Sequence, residues 1–144
     1  MSQIDNFGRL RQREPRARDK AHLGRVARLC CLACLIRRGA RVRPVQVAHI
    51  RAGYPGEPGW REVGKSEKPS DFRTAPLCVR CHLDGPDAQH RANEREWWER
   101  LGIHPPTLCV ALVEAFGRGD SGDKVVEEFA DRARRTCVGR GLMS

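Results

Sequence analysis

The chain has 144 residues, the size of one domain at roughly one per ~150 residues, and long enough to bury about two thirds of its unfolded surface. Its 40% hydrophobic, 31% charged and 6% aromatic content excludes a wholly disordered chain, a collagen and a coiled coil. Lys and Arg outnumber Asp and Glu by 27 to 18, a net charge of +9 that favours a polyanionic partner and says nothing of fold.

The surplus is local. Residues 1–45 hold twelve Arg or Lys against Asp5, Glu14 and Asp19, whereas residues 46–144 hold fifteen of each sign. Residues 1–21 therefore read as a basic, flexible arm, with Ile4, Phe7 and Leu10 isolated in it. From His22 to Cys34 the chain turns apolar, with Leu23, Val26, Leu29 and Leu32 at helical or knuckle spacing. Val45, Val47 and His49 alternate with Gln46, Ala48 and Ile50, which predicts a short strand with His49 on the valine face.

Residues 51–72 form a long polar loop rich in Gly and Pro; loops longer than ~15 residues in a compact domain are usually functional. A second short strand is expected from Thr74 to Leu77, then a helix from Asp87 to Leu101 stopped by Gly102 and Pro105-Pro106. Of the adjacent Trp97 and Trp98, one is expected to pack and the other to be half exposed. Two amphipathic helices close the chain, one through Leu108, Leu112, Val113 and Phe116, the other through Val125, Val126, Phe129, Ala130 and Ala133.

No apolar run reaches the ~18 residues of a membrane span, and Met1 to Asp5 lacks the basic and apolar regions of a signal peptide. The expectation is a cytoplasmic, reducing location, where an odd count of seven cysteines argues for thiols or metal ligands over disulfides.

Cys31-Leu-Ala-Cys34 and Cys78-Val-Arg-Cys81 are two Cys-x-x-Cys knuckles. A pair at this spacing grips one face of a tetrahedral Zn²⁺, and a second pair completes the four thiolates. The competing reading is buried free thiols, which we assign to Cys109 and Cys137. A plain zinc ribbon places ~15–20 residues between its pairs; here 43 lie between Cys34 and Cys78, and they include His49. His82 follows the second knuckle directly.

Four segments together resemble the HNH endonucleases, the ββα-metal superfamily. They are Cys31-x-x-Cys34, Val47-Ala48-His49-Ile50-Arg51, Lys68-Pro69-Ser70-Asp71 and Pro76-Leu77-Cys78-x-x-Cys81-His82. Their order is most similar to small phage and prophage HNH proteins of the RecA-dependent nuclease and YbcO-like kind, over residues 22–104. The resemblance implies a small zinc-stapled α+β domain of ββα-metal type, here extended by C-terminal helices over residues 105–144.

It further implies a metal-dependent DNA endonuclease. His49 matches the general base; position alone favours a half-buried strand histidine, and the flanking knuckles favour the base. An imidazole titrates near neutrality and can take a proton from water attacking a phosphorus. His82 matches the last family histidine, a ligand of a catalytic Mg²⁺ or Mn²⁺, against the alternative of a surface histidine. His90 would lie about 12 Å along one continuous helix from His82, but Gly85-Pro86 interrupts that helix and makes His90 the weaker ligand candidate. Asp71 either orients His49 or caps a turn. Arg9, Arg11, Arg13, Arg16, Arg18, Lys20, Arg51 and Lys68 are the expected DNA contacts. The resemblance also implies a recombination or phage protein as a further partner.

One position departs from the family. Many HNH enzymes carry a metal-binding Asp or His immediately before the base, and this chain carries Ala48. The alternative function is therefore a non-catalytic zinc-binding adaptor for DNA or protein with the same fold.

Overall fold

The computed structural model describes residues 18–64 and 66–139. The expected contacts Arg9, Arg11, Arg13 and Arg16, and the Cys137 side chain, lie outside the described residues. The architecture is α+β: among the described residues, five α-helices surround one two-stranded antiparallel sheet, in the order α1 (Lys20–Val26), α2 (Leu32–Arg38), β1 (Gln46–His49), β2 (Thr74–Leu77), α3 (Glu94–Leu101), α4 (Pro105–Gly117) and α5 (Asp123–Gly139). No helix among the described residues is long and apolar enough to cross a membrane.

α1 starts inside the stretch expected to be a flexible arm. Asp19 sits extended before it and its Oδ1 accepts the His22 N–H at 2.9 Å, which satisfies one of the free amides of the first turn. His22 and Val26 are buried, so the helix is seated on the core. α2 begins at the first knuckle, where the Cys31 sulfur caps the Cys34 N–H at 3.4 Å. It ends at Gly39, whose φ of +65° suits the left-handed turn that closes a helix. Arg134 of α5 donates to the carbonyls of Leu35 and Ile36, tying the last turn of α2 to the C-terminal helix.

β1 and β2 pair from Gln46 opposite Leu77 to His49 opposite Thr74. Alternation places Ala48 in the core, fully buried, and leaves Val47 and His49 half-buried. Leu29, Leu32, Ile36, Ile50, Leu77, Leu108, Leu112 and Val126 form the centre of a single core that joins both knuckles to the C-terminal helices.

The described residues of 51–72 carry no helix or strand, yet they fold back on themselves. Val63 N–H donates to the Arg51 carbonyl and Tyr54 N–H to that of Trp60. The buried Arg73 guanidinium donates to the carbonyls of Arg61 and Ala52 and lies 4.4 Å over the Trp60 ring. Gly53 allows the closest approach: a Cβ there would meet the Glu62 nitrogen at 2.6 Å.

Two expectations are corrected after β2. The helix expected from Asp87 is a 3₁₀ turn at Gln89–Arg91 followed by α3, because the Asn93 side chain caps Glu96 N–H and starts the helix there. Both Trp97 and Trp98 are buried, at 1% and 0% exposure. Each indole N–H has its own acceptor, Trp97 on the Asp87 carbonyl and Trp98 on Glu94, so α3 is covered on two sides.

Candidate metal centre and histidine site

The four knuckle cysteines converge. Cys31, Cys34, Cys78 and Cys81 are all buried, and their sulfurs lie within 4.8 Å of one another. Cys34 Sγ is 3.8 Å from Cys78 Sγ and 3.7 Å from Cys81 Sγ. A tetrahedral site with Zn–S bonds of about 2.3 Å requires sulfurs about 3.8 Å apart, far beyond the ~2.05 Å of a disulfide. The cluster can therefore hold a metal ion such as zinc.

The surroundings favour a thiolate at Cys31, while burial pushes the Cys34 thiol up despite its contact with Arg38. The hydrogen bond from Cys81, with the Cys78 and Cys34 amides, outweighs burial and brings Cys31 down to about 5, while Cys81 is pushed up as the donor. Arg38, one helical turn after Cys34, donates to Cys34 Sγ at 3.1 Å and so supplies a positive charge outside the sulfur shell. Cys109 is separate: it is buried against β2, where its sulfur donates to the Thr74 carbonyl, and burial pushes its thiol up to about 12.

His49 ends β1, and Asp71 comes from the turn before β2. His49 Nε2 and Asp71 Oδ1 are 3.1 Å apart. A carboxylate can only accept, so this contact places the ring proton on Nε2 and the lone pair on Nδ1. Asp71 Oδ2 accepts the backbone N–H of Asp19 at 2.8 Å. Burial alone would push the Asp71 carboxyl up, but the Asp19 amide, the His49 ring and the Arg18 charge hold it below its ordinary 3.8.

His82 lies on a π-helical turn, Arg80–Asp84, closed by Gly85 N–H on the Arg80 carbonyl. Gly85 is required there, since a Cβ would meet that carbonyl oxygen at 2.6 Å. Cys81 turns inward to the sulfur cluster, whereas His82 Nδ1 turns to the Gln46 Oε1 at 2.7 Å. With the Gln46 oxygen accepting, Nδ1 carries the proton and Nε2 keeps its lone pair. Burial, then the charges of His90 and His49, lower the His82 pKa. The break at Gly85-Pro86 folds the chain back so that the His90 ring centroid is 6.2 Å from that of His82.

The remaining expected site residues are dispersed. Arg51 Nη1 donates to the carbonyls of Gly64 and Glu67, which fastens the loop. Arg18, Lys20 and Lys68 are exposed. Ala48 is fully buried and offers no ligand atom. Among the described residues the four cysteines are the one group of three or more His, Cys, Asp or Glu close enough to share an ion, so His82 and His90 have no third protein ligand there.

Sequence reasoning missed Gln46, Asp19 and Glu94. Glu94 accepts from the Arg51 and Ala52 amides, Gln89 and the Trp98 indole, fastening the segment after His49 to α3. An Asp before a helical apolar run is a capping signal, so Asp19 was recoverable as a cap; its contact with Asp71 had no local signature. No protein-family model, curated protein or solved structure matches the chain.

Proposed function

We propose that the chain is a metal-dependent endonuclease of the HNH kind, with zinc in the four-cysteine cluster as a structural clasp. The observation that carries this reading is the His49–Asp71 contact, which leaves His49 Nδ1 as a base while a carboxylate holds the opposite nitrogen. Asp71 orients the imidazole and stabilises its charge once it has taken a proton from the attacking water.

His82 Nε2 and His90 are the groups for a second, catalytic ion. Two imidazoles suit Mn²⁺ better than Mg²⁺, which prefers oxygen ligands. A divalent ion, if held there, would offset the negative charge that develops on the phosphate and its leaving oxygen. Gln46 fixes the tautomer of His82. Arg18 and Lys20, with the basic residues upstream, contact DNA phosphates without reading sequence.

A non-catalytic zinc-binding adaptor is the second reading. It is favoured by Ala48 at the usual ligand position and by the absence of a third ligand near His82 and His90 among the described residues. Incubation of plasmid DNA with the zinc-loaded protein and Mn²⁺ or Mg²⁺ separates the two. Nicking that disappears in His49→Ala supports the nuclease. Salt-dependent DNA binding with no nicking under either ion supports the adaptor, and a His49→Ala variant that nicks like wild type removes the base assignment.

A further inference from the structure

We propose that the backbone amide of Asp19, outside the stretch that resembles the HNH family, is a positioning group for the His49–Asp71 pair. The inference rests on the nuclease reading for its catalytic meaning, while its geometry stands alone. Asp71 is a two-sided bridge: Oδ1 meets His49 Nε2 at 3.1 Å and Oδ2 accepts Asp19 N–H at 2.8 Å. With one oxygen held by a fixed donor, the carboxylate plane cannot turn freely about its own bond, so the other oxygen stays aimed at the imidazole.

The donor is itself held by α1. The Asp19 side chain caps His22 N–H, and its carbonyl accepts the Leu23 N–H at 3.1 Å. His22, 3% exposed, wedges edge-on between Phe72 and Phe116, at centroid distances of 4.9 and 5.3 Å. Phe72 is the residue after Asp71, so α1 grips this turn at two adjacent points: a hydrogen bond to Asp71 and a ring contact to Phe72. The charged or titratable groups that act on this pair are Arg18 and His22, from α1 and its approach, and His82 from the turn after β2. The Asp19 amide also helps to keep Asp71 ionised, against the burial that opposes it.

The test uses the full zinc-loaded chain with ¹⁵N-labelled histidine. Long-range ¹H–¹⁵N spectra of neutral His49 are expected to show the Nε2–H tautomer in wild type. Asp19→Pro, which lacks the amide proton, is expected to give a mixture of tautomers, and Asp19→Asn, which keeps the proton and a capping oxygen, to restore the wild-type pattern. In plasmid nicking, Asp19→Pro should lower kcat on the order of 10- to 100-fold, as loss of alignment does, with KM for DNA within about twofold.

An unchanged His49 tautomer in Asp19→Pro overturns the proposal. So does an Asp19→Ala variant that loses as much kcat as Asp19→Pro, because alanine removes the cap and keeps the amide. If Asp19→Pro fails to fold, amide exchange decides: Asp19 N–H should exchange at least about tenfold faster in Asp71→Ala than in wild type, and equal rates overturn the proposal. A shifted tautomer in a protein that nicks no DNA keeps the positioning role and removes the nuclease reading.

Discussion

Cys34 and Cys81 stand 47 residues apart in the chain, and their sulfurs lie 3.7 Å apart in the fold. The contact brings α2 against the turn that follows β2, with Cys31 and Cys78 completing the cluster. Reduced protein is expected to carry about one zinc per chain, the stoichiometry of a four-thiolate site. Cys81→Ser should lose it. Structural zinc sites contribute on the order of 10 kcal/mol, comparable to the whole stability of a domain at about 5–15 kcal/mol. Chelation should therefore abolish the cooperative thermal transition seen by circular dichroism. A chelated protein that melts like the zinc-loaded one would show that the thiols merely pack.

Glu94 is a second tie, made without metal. Its carboxylate accepts from four donors, two of them the amides just after His49. Glu94→Gln replaces one acceptor oxygen by a donor that faces donors. With bonds to a charged group contributing about 1.5–3 kcal/mol each, the substitution should destabilise by roughly 2–4 kcal/mol in chemical denaturation. Zinc content should be unchanged.

His22 gives the fold a pH dependence of known sign. Burial lowers its pKa below the ordinary 6.5. The unfolded chain therefore binds a proton that the folded chain resists as pH falls below 6.5, and stability drops through that window toward the folded value. His22→Leu removes this proton linkage. The difference in Tm between pH 7 and pH 5.5 should be smaller in His22→Leu than in wild type, and equal differences would remove His22 from the account.

The basic N-terminal segment and the His49 pair should separate kinetically. Deleting residues 1–17 removes Arg9, Arg11, Arg13 and Arg16 and leaves Asp19 in place. If each meets a phosphate, the slope of log K against log salt should flatten by roughly 3 to 4 units. The effect should fall on KM and leave kcat little changed. A full-length salt slope in the truncated chain would place the phosphate contacts elsewhere.

What the sequence disclosed depends on the range of the interaction. The span Thr74 to Leu77 was legible as a strand because it is short, apolar and bounded by a knuckle. The four cysteines were legible because two-residue spacing is a local imprint of the ligand geometry. The approach of His90 to His82 was only half legible: Gly85-Pro86 signalled a break, but the direction of the return is set by the π turn and the 3₁₀ turn. The Asp19–Asp71 bond spans 52 residues and involves a backbone amide, which every residue but proline possesses. The double burial of Trp97 and Trp98 was misread for a related reason, since helical periodicity describes one face and α3 is covered on two.

The clasp has a consequence for how the molecule can change. With a metal ion held by the four cysteines, the 43 residues between Cys34 and Cys78 would form a closed ring that carries both His49 and Asp71. Closing a flexible ring of that length costs about 3 kcal/mol plus a constant, and doubling it adds only about 0.6 kcal/mol. The tip at Gly56 is exposed with open space around it, and its φ of +90° suits glycine, so growth there is by insertion beside this residue. New sequence inserted at that tip would leave the sulfur cluster and the His49–Asp71 pair at their present spacing. The loop is thus a place where the domain can lengthen without moving the elements that frame it.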